Sequence, residues 1–135
     1  MASSTVTLYK VDGVTSEVFT LDSVLGKDTK YTGASSTPTF PIMLTITKDA
    51  KSVGLLANDR MAASVKRSAA ATAQSKVVTG SATLSCSIGK DPTSGGALLT
   101  EAESALTELI SYFTGTAPTA TTITNVSKFV AGVLL

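Results

Sequence analysis

Few residue types in this chain could carry catalytic chemistry. The 135 residues include no histidine and a single cysteine, Cys86, so the commonest general base and metal ligand is missing. The carboxylates stand mostly at predicted turns or in the first turn of a predicted helix, where capping or solvation explains them better than acid–base catalysis does. The sequence therefore predicts that the protein is not an enzyme and that it uses no metal or cofactor.

Hydroxyl and basic side chains form the pattern in this sequence that is best suited to binding a ligand. They recur at alternate positions of three predicted strands, which places them on one open face of a sheet, and that face has no acidic residue on these strands. Hydroxyls can hydrogen-bond bases and phosphates, and cations can neutralise a phosphate backbone. We expect the following residues to contact RNA, with an ordinary solvent-exposed face as the alternative: Thr45, Thr47, Arg60, Ser64, Lys66, Thr79, Ser81, Thr83 and Ser85.

Charge is unevenly distributed along the chain. Residues 48–90 contain seven basic and two acidic residues, a net charge of +5, whereas residues 1–47 sum to −1 and residues 91–135 to −3. Charged residues make up only 16% of the chain, against about 25% in a typical soluble domain. A surface so poor in charge is weakly protected against association, so we interpret much of it as contact surface.

The amino-terminal residues 1–21 are predicted to form a β-hairpin. Residues 5–11 alternate polar and apolar, Asp12 and Gly13 form a strong hairpin-turn signal, and residues 14–21 resume the strand pattern. Residues 22–39 mix glycine, serine, threonine, aspartate and proline. This composition predicts a loop with a short strand around Tyr31.

Three longer strands are predicted at 40–48, 60–68 and 76–88. Each alternates an apolar row with a polar or small row, as in an antiparallel sheet with one covered face. The predicted inward rows are Ile42, Leu44 and Ile46; Met61, Ala63 and Val65; and Val78, Ala82, Leu84, Cys86 and Ile88. Residues 69–75 are small, polar and unpatterned, and are predicted to form an exposed loop.

Two helices are predicted in residues 98–134. The first carries an apolar stripe that includes Leu106, Leu109, Ile110 and Phe113, and Thr100 with Glu103 has the spacing of a capping box. The second is predicted to begin near residues 121–122 and to run almost to the carboxy terminus. Strands followed by helices predict one α+β domain over residues 1–135, with hairpin 1–21, sheet strands 29–88 and helices 98–134.

The order and patterning of these elements resemble the coat proteins of small single-stranded RNA bacteriophages, the levivirus group. The resemblance covers nearly the whole chain and is carried by the segments TVTLYK at 5–10, MLTITK at 43–48, RMAASVK at 60–66 and GSATLSC at 80–86. It implies an interlocked homodimer in which the two sheets join edge to edge and the helices of each subunit cross the partner's sheet.

The resemblance also implies a function. Dimers of such proteins build an icosahedral shell whose inner surface is the open sheet face, which packages the RNA genome and in some relatives binds an RNA hairpin to repress translation. Family positions on that face match Thr45, Thr47, Ser64 and Lys66, and the family's intersubunit loop matches residues 69–75. The implied partners are further copies of the chain and single-stranded RNA, with no membrane or small-molecule substrate, and the implied location is the virion, made in the bacterial cytoplasm.

Two other classes of protein remain open at this point. One is a self-assembling structural subunit that binds no RNA, such as another phage or filament component. The other is an α+β domain that binds a small molecule, although the sequence shows no convergent polar cluster to build its pocket.

Overall fold

The computed structural model of the chain describes residues 4–49, 58–70, 77–89 and 99–132. These residues form six strands followed by two helices, and the strands follow the order β1-β2-β3-β4-β5-β6 across one antiparallel sheet. The predicted α+β class is confirmed. The elements are β1 (Thr5–Tyr9), β2 (Ser16–Leu25), β3 (Asp28–Gly33), β4 (Ile42–Asp49), β5 (Asp59–Ala70), β6 (Val77–Ile88), α1 (Leu99–Thr114) and α2 (Ala120–Val130).

The predicted hairpin is present, and its turn is centred on Asp12 and Gly13. The amide of Lys10 donates to the carbonyl of Thr15 at 2.8 Å, and the amide of Gly13 donates to the carbonyl of Lys10 at 2.9 Å. The Asp12 carboxylate accepts from the amides of Val14 and Thr15, at 2.9 and 2.8 Å, and from the Thr15 hydroxyl. The Thr15 hydroxyl, followed by these amides, lowers the pKa of Asp12. The turn is thus held by its own side chain.

The short strand predicted around Tyr31 is present, but the loop predicted over residues 22–39 is too long, because residues 22–25 and 28–33 are strand. Strand β2 continues to Leu25, and β3 occupies Asp28–Gly33. Leu25 pairs with Asp28, so Gly26 and Lys27 form a two-residue turn, and Gly26 has a φ of 59°. A positive φ at the first central position belongs to the turns that join tight hairpins. The composition concealed the full length of β3, because Tyr31 is its one large apolar residue.

The three longer strands differ from the prediction mainly in length. Strand β4 covers Ile42–Asp49, β5 covers Asp59–Ala70, and β6 covers Val77–Ile88. Residues 69 and 70, predicted to be loop, therefore belong to a strand, and residues 71–75 of that predicted loop lie outside the described residues.

The chain divides into two compact units. The strand unit contains β1, β2, β3, most of β4 and the adjoining parts of β5 (62–70) and β6 (77–84). The helix unit contains α1 and α2 with the remaining ends of β4, β5 and β6.

The strand unit has its core on one face of β2, β3 and β4. The inward row predicted for β4, Ile42, Leu44 and Ile46, is buried as expected, and Phe19 and Tyr31 join it. Tyr31 pairs with Leu44 across the sheet, which places two large side chains of neighbouring strands side by side. Burial of each such side chain contributes roughly 1.5–3 kcal/mol. Burial also raises the pKa of the Tyr31 hydroxyl, which has no hydrogen-bond partner among the described residues.

Glu17 is a charged residue in this core, and only 4% of it is exposed. The amide of Ser35 donates to Glu17 Oε1 at 2.7 Å, and the Ser35 hydroxyl lies within 2.8 Å of both carboxylate oxygens. Lys10 Nζ is 3.7 Å from Oε2. The Ser35 hydroxyl is the main cause that lowers the pKa of Glu17; burial opposes it, and the Ser35 amide, Arg67 and Lys10 reinforce it. Glu17 is therefore buried as a satisfied carboxylate.

The backbone at Gly33 passes unusually close to this carboxylate. A methyl group on Gly33 would lie 2.8 Å from Glu17 Oε1 and 2.9 Å from Ile42 Cγ2. Real Cβ atoms do not approach neighbours so closely, and position 33 therefore requires glycine.

The helix unit is held by apolar and polar contacts between α1 and α2. Ala102 and Leu106 are the buried residues of α1, and Val126 and Val130 are those of α2. The predicted capping box is not formed: α1 begins at Leu99, so Thr100 lies inside its first turn, and Glu103 Oε1 instead accepts from the Ser127 hydroxyl at 3.1 Å. Neither helix described is long and apolar enough to cross a membrane.

The second helix begins slightly before the predicted position. Thr119 is its N-cap and accepts from the amide of Thr122 at 3.2 Å, a cap typically worth about 1 kcal/mol. The helix ends at Val130, and the last residues of the prediction, 133–134, lie outside the described part of the chain.

Replacing Glu17 with glutamine should destabilise the protein in a pH-dependent way. The native carboxylate has a lowered pKa, so its contribution is complete above the unfolded-state value of about 4.3 and is lost as the pH falls through the lower folded value. Urea unfolding of the full chain should show a loss of about 1.5–3 kcal/mol at pH 7, which shrinks as the pH falls below about 4. Glu101→Gln, on exposed helix surface, is the control. A loss from Glu17→Gln that is constant with pH would contradict this role.

Replacing Gly33 with alanine should cost about 1–3 kcal/mol of unfolding free energy, because the methyl group displaces Glu17 or Ile42. Gly89→Ala is the matched control, since nothing lies within 4 Å of the position its methyl group would take, and it should change stability by less than about 0.5 kcal/mol. Equal losses in the two variants, measured by thermal or urea unfolding, would refute the close approach.

Candidate functional site

The nine predicted contact residues lie on β4, β5 and β6. Seven belong to the strand unit, and Arg60 and Ser85 belong to the helix unit. Arg60, Lys66 and the four residues of β6 are exposed, whereas Thr45, Thr47 and Ser64 are half-buried.

One hydrogen bond relates the polar rows of β5 and β6 within the strand unit. The hydroxyls of Ser68 and Thr79 lie 3.4 Å apart, so these two side chains are on the same face of the sheet. Because strand side chains alternate between faces, the even positions of β5 and the odd positions of β6 share it. The predicted residues that this relation brings onto one face are Ser64, Lys66, Thr79, Ser81 and Thr83.

Strand β3 adds residues to the open face of β4 that the sequence did not predict. Lys30 pairs with Thr45 and Thr32 pairs with Met43, all on the face opposite the buried Leu44. Neither β3 residue belongs to the predicted set, because the sequence predicts only a short strand around Tyr31 and assigns no face to its side chains. The signal was nevertheless present, since polar Asp28, Lys30 and Thr32 alternate with buried Thr29, Tyr31 and Gly33.

The sequence predicts no acidic residue on this face of the three strands, but β3 places one beside it. Asp28 pairs with Thr47 across β3 and β4, and the Thr47 hydroxyl donates to Asp28 Oδ1 at 2.8 Å. Strand β4 also extends one residue beyond its predicted end, to Asp49. Thr45 therefore has a lysine beside it, whereas Thr47 has a carboxylate.

The predicted inward row of β6 is covered only at its carboxyl end. Ile88 is 3% exposed and Leu84 and Cys86 are half-buried, whereas Val78 is 52% exposed and Ala82 is also exposed. The prediction of a continuous buried row is therefore wrong for a single chain. The physical reason is that β6 is the last strand in the sheet order, with a strand neighbour on one side.

Cys86 occupies a shielded position in the helix unit. Together with Ala102, Leu106 and Leu109 of α1, it lines a cavity of about 250 Å³. Burial raises the pKa of the Cys86 thiol, partly offset by a hydrogen bond with the backbone of Met61. A thiol with a raised pKa is a poor nucleophile at neutral pH. Among the described residues, no three potential metal ligands come together.

Apolar side chains remain exposed along the second half of α1. Tyr112 is 80% exposed and Phe113 is 76% exposed, and their rings make an edge-to-face contact with centroids 5.3 Å apart. Leu109 is 41% exposed. Leu109 and Phe113 belong to the stripe that the sequence predicted to be buried.

The strand unit contains an open apolar cavity of about 430 Å³ between the hairpin and β5. Two cations, Lys10 and Arg67, line it together with the buried Glu17. Its other walls are Leu8, Tyr9, Val11, Phe19 and Val65.

These features define a class of fold, an antiparallel sheet with one polar open face followed by two carboxy-terminal helices. No protein-family model and no curated protein matches the chain. Among solved structures, the chain is similar to one described as "Virus-like particle of bacteriophage AVE019", with a TM-score of 0.62 and 14% sequence identity over 99% of this chain and 98% of that chain. The predicted phage coat-protein fold is confirmed.

Proposed function

We propose that this protein is the coat subunit of a small RNA phage, a structural protein and not an enzyme. In this proposal residues 1–135 act as one coat domain, which forms homodimers, assembles into an icosahedral shell and packages single-stranded RNA in the virion. The observation that carries the proposal is the fold likeness, which extends over nearly the full length of both this chain and a chain from a virus-like particle.

Strand β6 supports dimerisation through a sheet edge. It is twelve residues long and lies at the end of the sheet order, and it exposes Val77 and Val78. Long, apolar edge strands are normally protected because they pair with other chains. Strand β1, at the other edge, has only five residues, which makes β6 the better candidate to pair with β6 of a second copy.

The exposed end of α1 supports a second contact between the same two copies. Helix α1 carries Glu101, Glu103 and Glu108 and no basic residue, whereas Lys10 and Arg67 line the apolar cavity of the strand unit. The exposed pair Tyr112 and Phe113 could fill that cavity in a second copy, where the cations would face both the aromatic rings and Glu108. Aromatic side chains anchored in such pockets commonly dominate the binding energy of an interface.

The polar row on β4, β5 and β6 supports contact with RNA. It presents Lys66 and Arg60 with the hydroxyls of the predicted set, on exposed or half-buried positions, within the segment of the chain whose net charge is +5. Cations would neutralise phosphates, and hydroxyls would hydrogen-bond bases or phosphates. Binding of an RNA hairpin in translational repression would use the same face.

Replacing Tyr112 and Phe113 together with alanine should weaken the dimer. Loss of two aromatic anchors, at about 2 kcal/mol each, should raise the dimer dissociation constant by about 1,000-fold, as measured by sedimentation or light scattering over a concentration series. Ser104→Ala, at an exposed position of the same helix, is the control. A wild-type protein that remains a folded monomer at micromolar concentration would refute the proposed dimer.

Electron microscopy of the purified full chain should show closed shells, and extraction of those shells should yield RNA. Replacing Arg60 and Lys66 with glutamine should leave the subunits folded and the shells intact but reduce the RNA content of the shells. The same replacement should lower the salt slope of RNA binding by about 0.7 for each phosphate that is no longer neutralised. Shells without RNA would favour a self-assembling subunit of another kind. Absence of any assembly would reject the coat-protein proposal altogether.

A further inference from the structure

We propose that Lys30 is a phosphate contact on the open sheet face and that Asp28 withdraws Thr47 from RNA binding, so that RNA crosses β4 at Thr45. This inference rests on the proposed RNA-binding function and refines it. It adds one residue to the nine predicted and removes another, because β3 places a cation and a carboxylate beside two otherwise similar threonines.

The strand register places Lys30 beside Thr45. The two residues are cross-strand partners, and such partners have Cβ atoms about 4.5–5.5 Å apart on the same face. On the other side, Ser23 of β2 pairs with Lys30 after the irregularity between Leu21 and Ser23. Lys30 is thus flanked by two hydroxyl-bearing side chains, which can bind the same backbone segment that its ammonium would neutralise.

The charge of Lys30 is available for a ligand. Within the part of the chain that the structure describes, Lys30 forms no ion pair. Lys10, in contrast, lies beside the buried carboxylate of Glu17. An unpaired ammonium beside hydroxyls suits a phosphate, which offers only acceptor oxygens to these donors.

Thr47 is chemically different from Thr45, although both point to the same face. The hydroxyl of Thr47 donates its single proton to Asp28 Oδ1 at 2.8 Å, so it can only accept from any further partner. A phosphate oxygen needs a donor, and the Asp28 carboxylate repels it in addition. This end of the face should therefore be avoided by the RNA backbone.

The first test measures binding of a labelled oligouridylate to the full chain by filter binding over a series of salt concentrations. Lys30→Gln should weaken binding and lower the salt slope by about 0.7, the value for one phosphate contact on a single strand. Lys128→Gln, which removes the same charge from the last turn of α2, should leave the slope unchanged. Thermal unfolding of each variant checks that the protein is folded.

The second test separates Thr45 from Thr47. Thr45→Val should weaken binding by about five-fold, the equivalent of one hydrogen bond, whereas Thr47→Val should leave it unchanged. Asp28→Asn should strengthen binding, because it removes a negative charge from the face while it keeps an acceptor for Thr47. Asp22→Asn, which makes the same change of net charge at an exposed position of β2, should not.

The outcomes distinguish this inference from the function on which it rests. If Lys30→Gln binds as the wild type does while the Arg60 and Lys66 variant binds weakly, the role of Lys30 is wrong and the RNA face remains. If Thr47→Val weakens binding as much as Thr45→Val, the role of Asp28 is wrong. If none of these variants alters binding, RNA does not bind on this face; if the wild-type chain itself does not bind RNA, the RNA-binding function is rejected.

Discussion

The register of β2, β3 and β4 is the constraint on which the rest of the strand unit depends. Phe19 pairs with Gly33, and Tyr31 pairs with Leu44, so the core and the polar face are set by the same hydrogen-bonded ladder. A slip by one residue would move every side chain of a strand to the opposite face. The irregularity between Leu21 and Ser23 absorbs one extra residue and so preserves both rows at once.

How much of this fold was predictable depended on the residues that carried each pattern. Strand β4 was predicted correctly because Ile42, Leu44 and Ile46 alternate strictly with their neighbours. Strand β3 is predicted only as a short strand around Tyr31, because its buried row is threonine, tyrosine and glycine, whose burial follows from the strands beside it. The predicted candidate site therefore lacks Lys30 and Asp28, because only the register between β3 and β4 places these two residues beside Thr45 and Thr47.

The sequence also could not show which chain covers an apolar surface. The patterns of α1 and β6 predicted burial for Phe113 and Val78, and both are exposed in the single chain. Amphipathic periodicity predicts that one face of a helix or strand is buried, but it does not indicate whether the same chain or a second chain buries it. Such disagreements between pattern and burial are therefore informative about association, particularly where the exposed residues are aromatic or lie on an edge strand.

The close approach between Gly33 and Glu17 has a consequence for how the sequence can evolve. The Glu17 carboxylate and the Ile42 side chain together occupy the space that any side chain at position 33 would need, so a larger residue there becomes tolerable only after both have changed. Once the carboxylate is replaced, the hydroxyl and amide of Ser35 and the ammonium of Lys10 no longer face a negative charge. Positions 10, 17, 33, 35 and 42 should therefore change as a group among related chains.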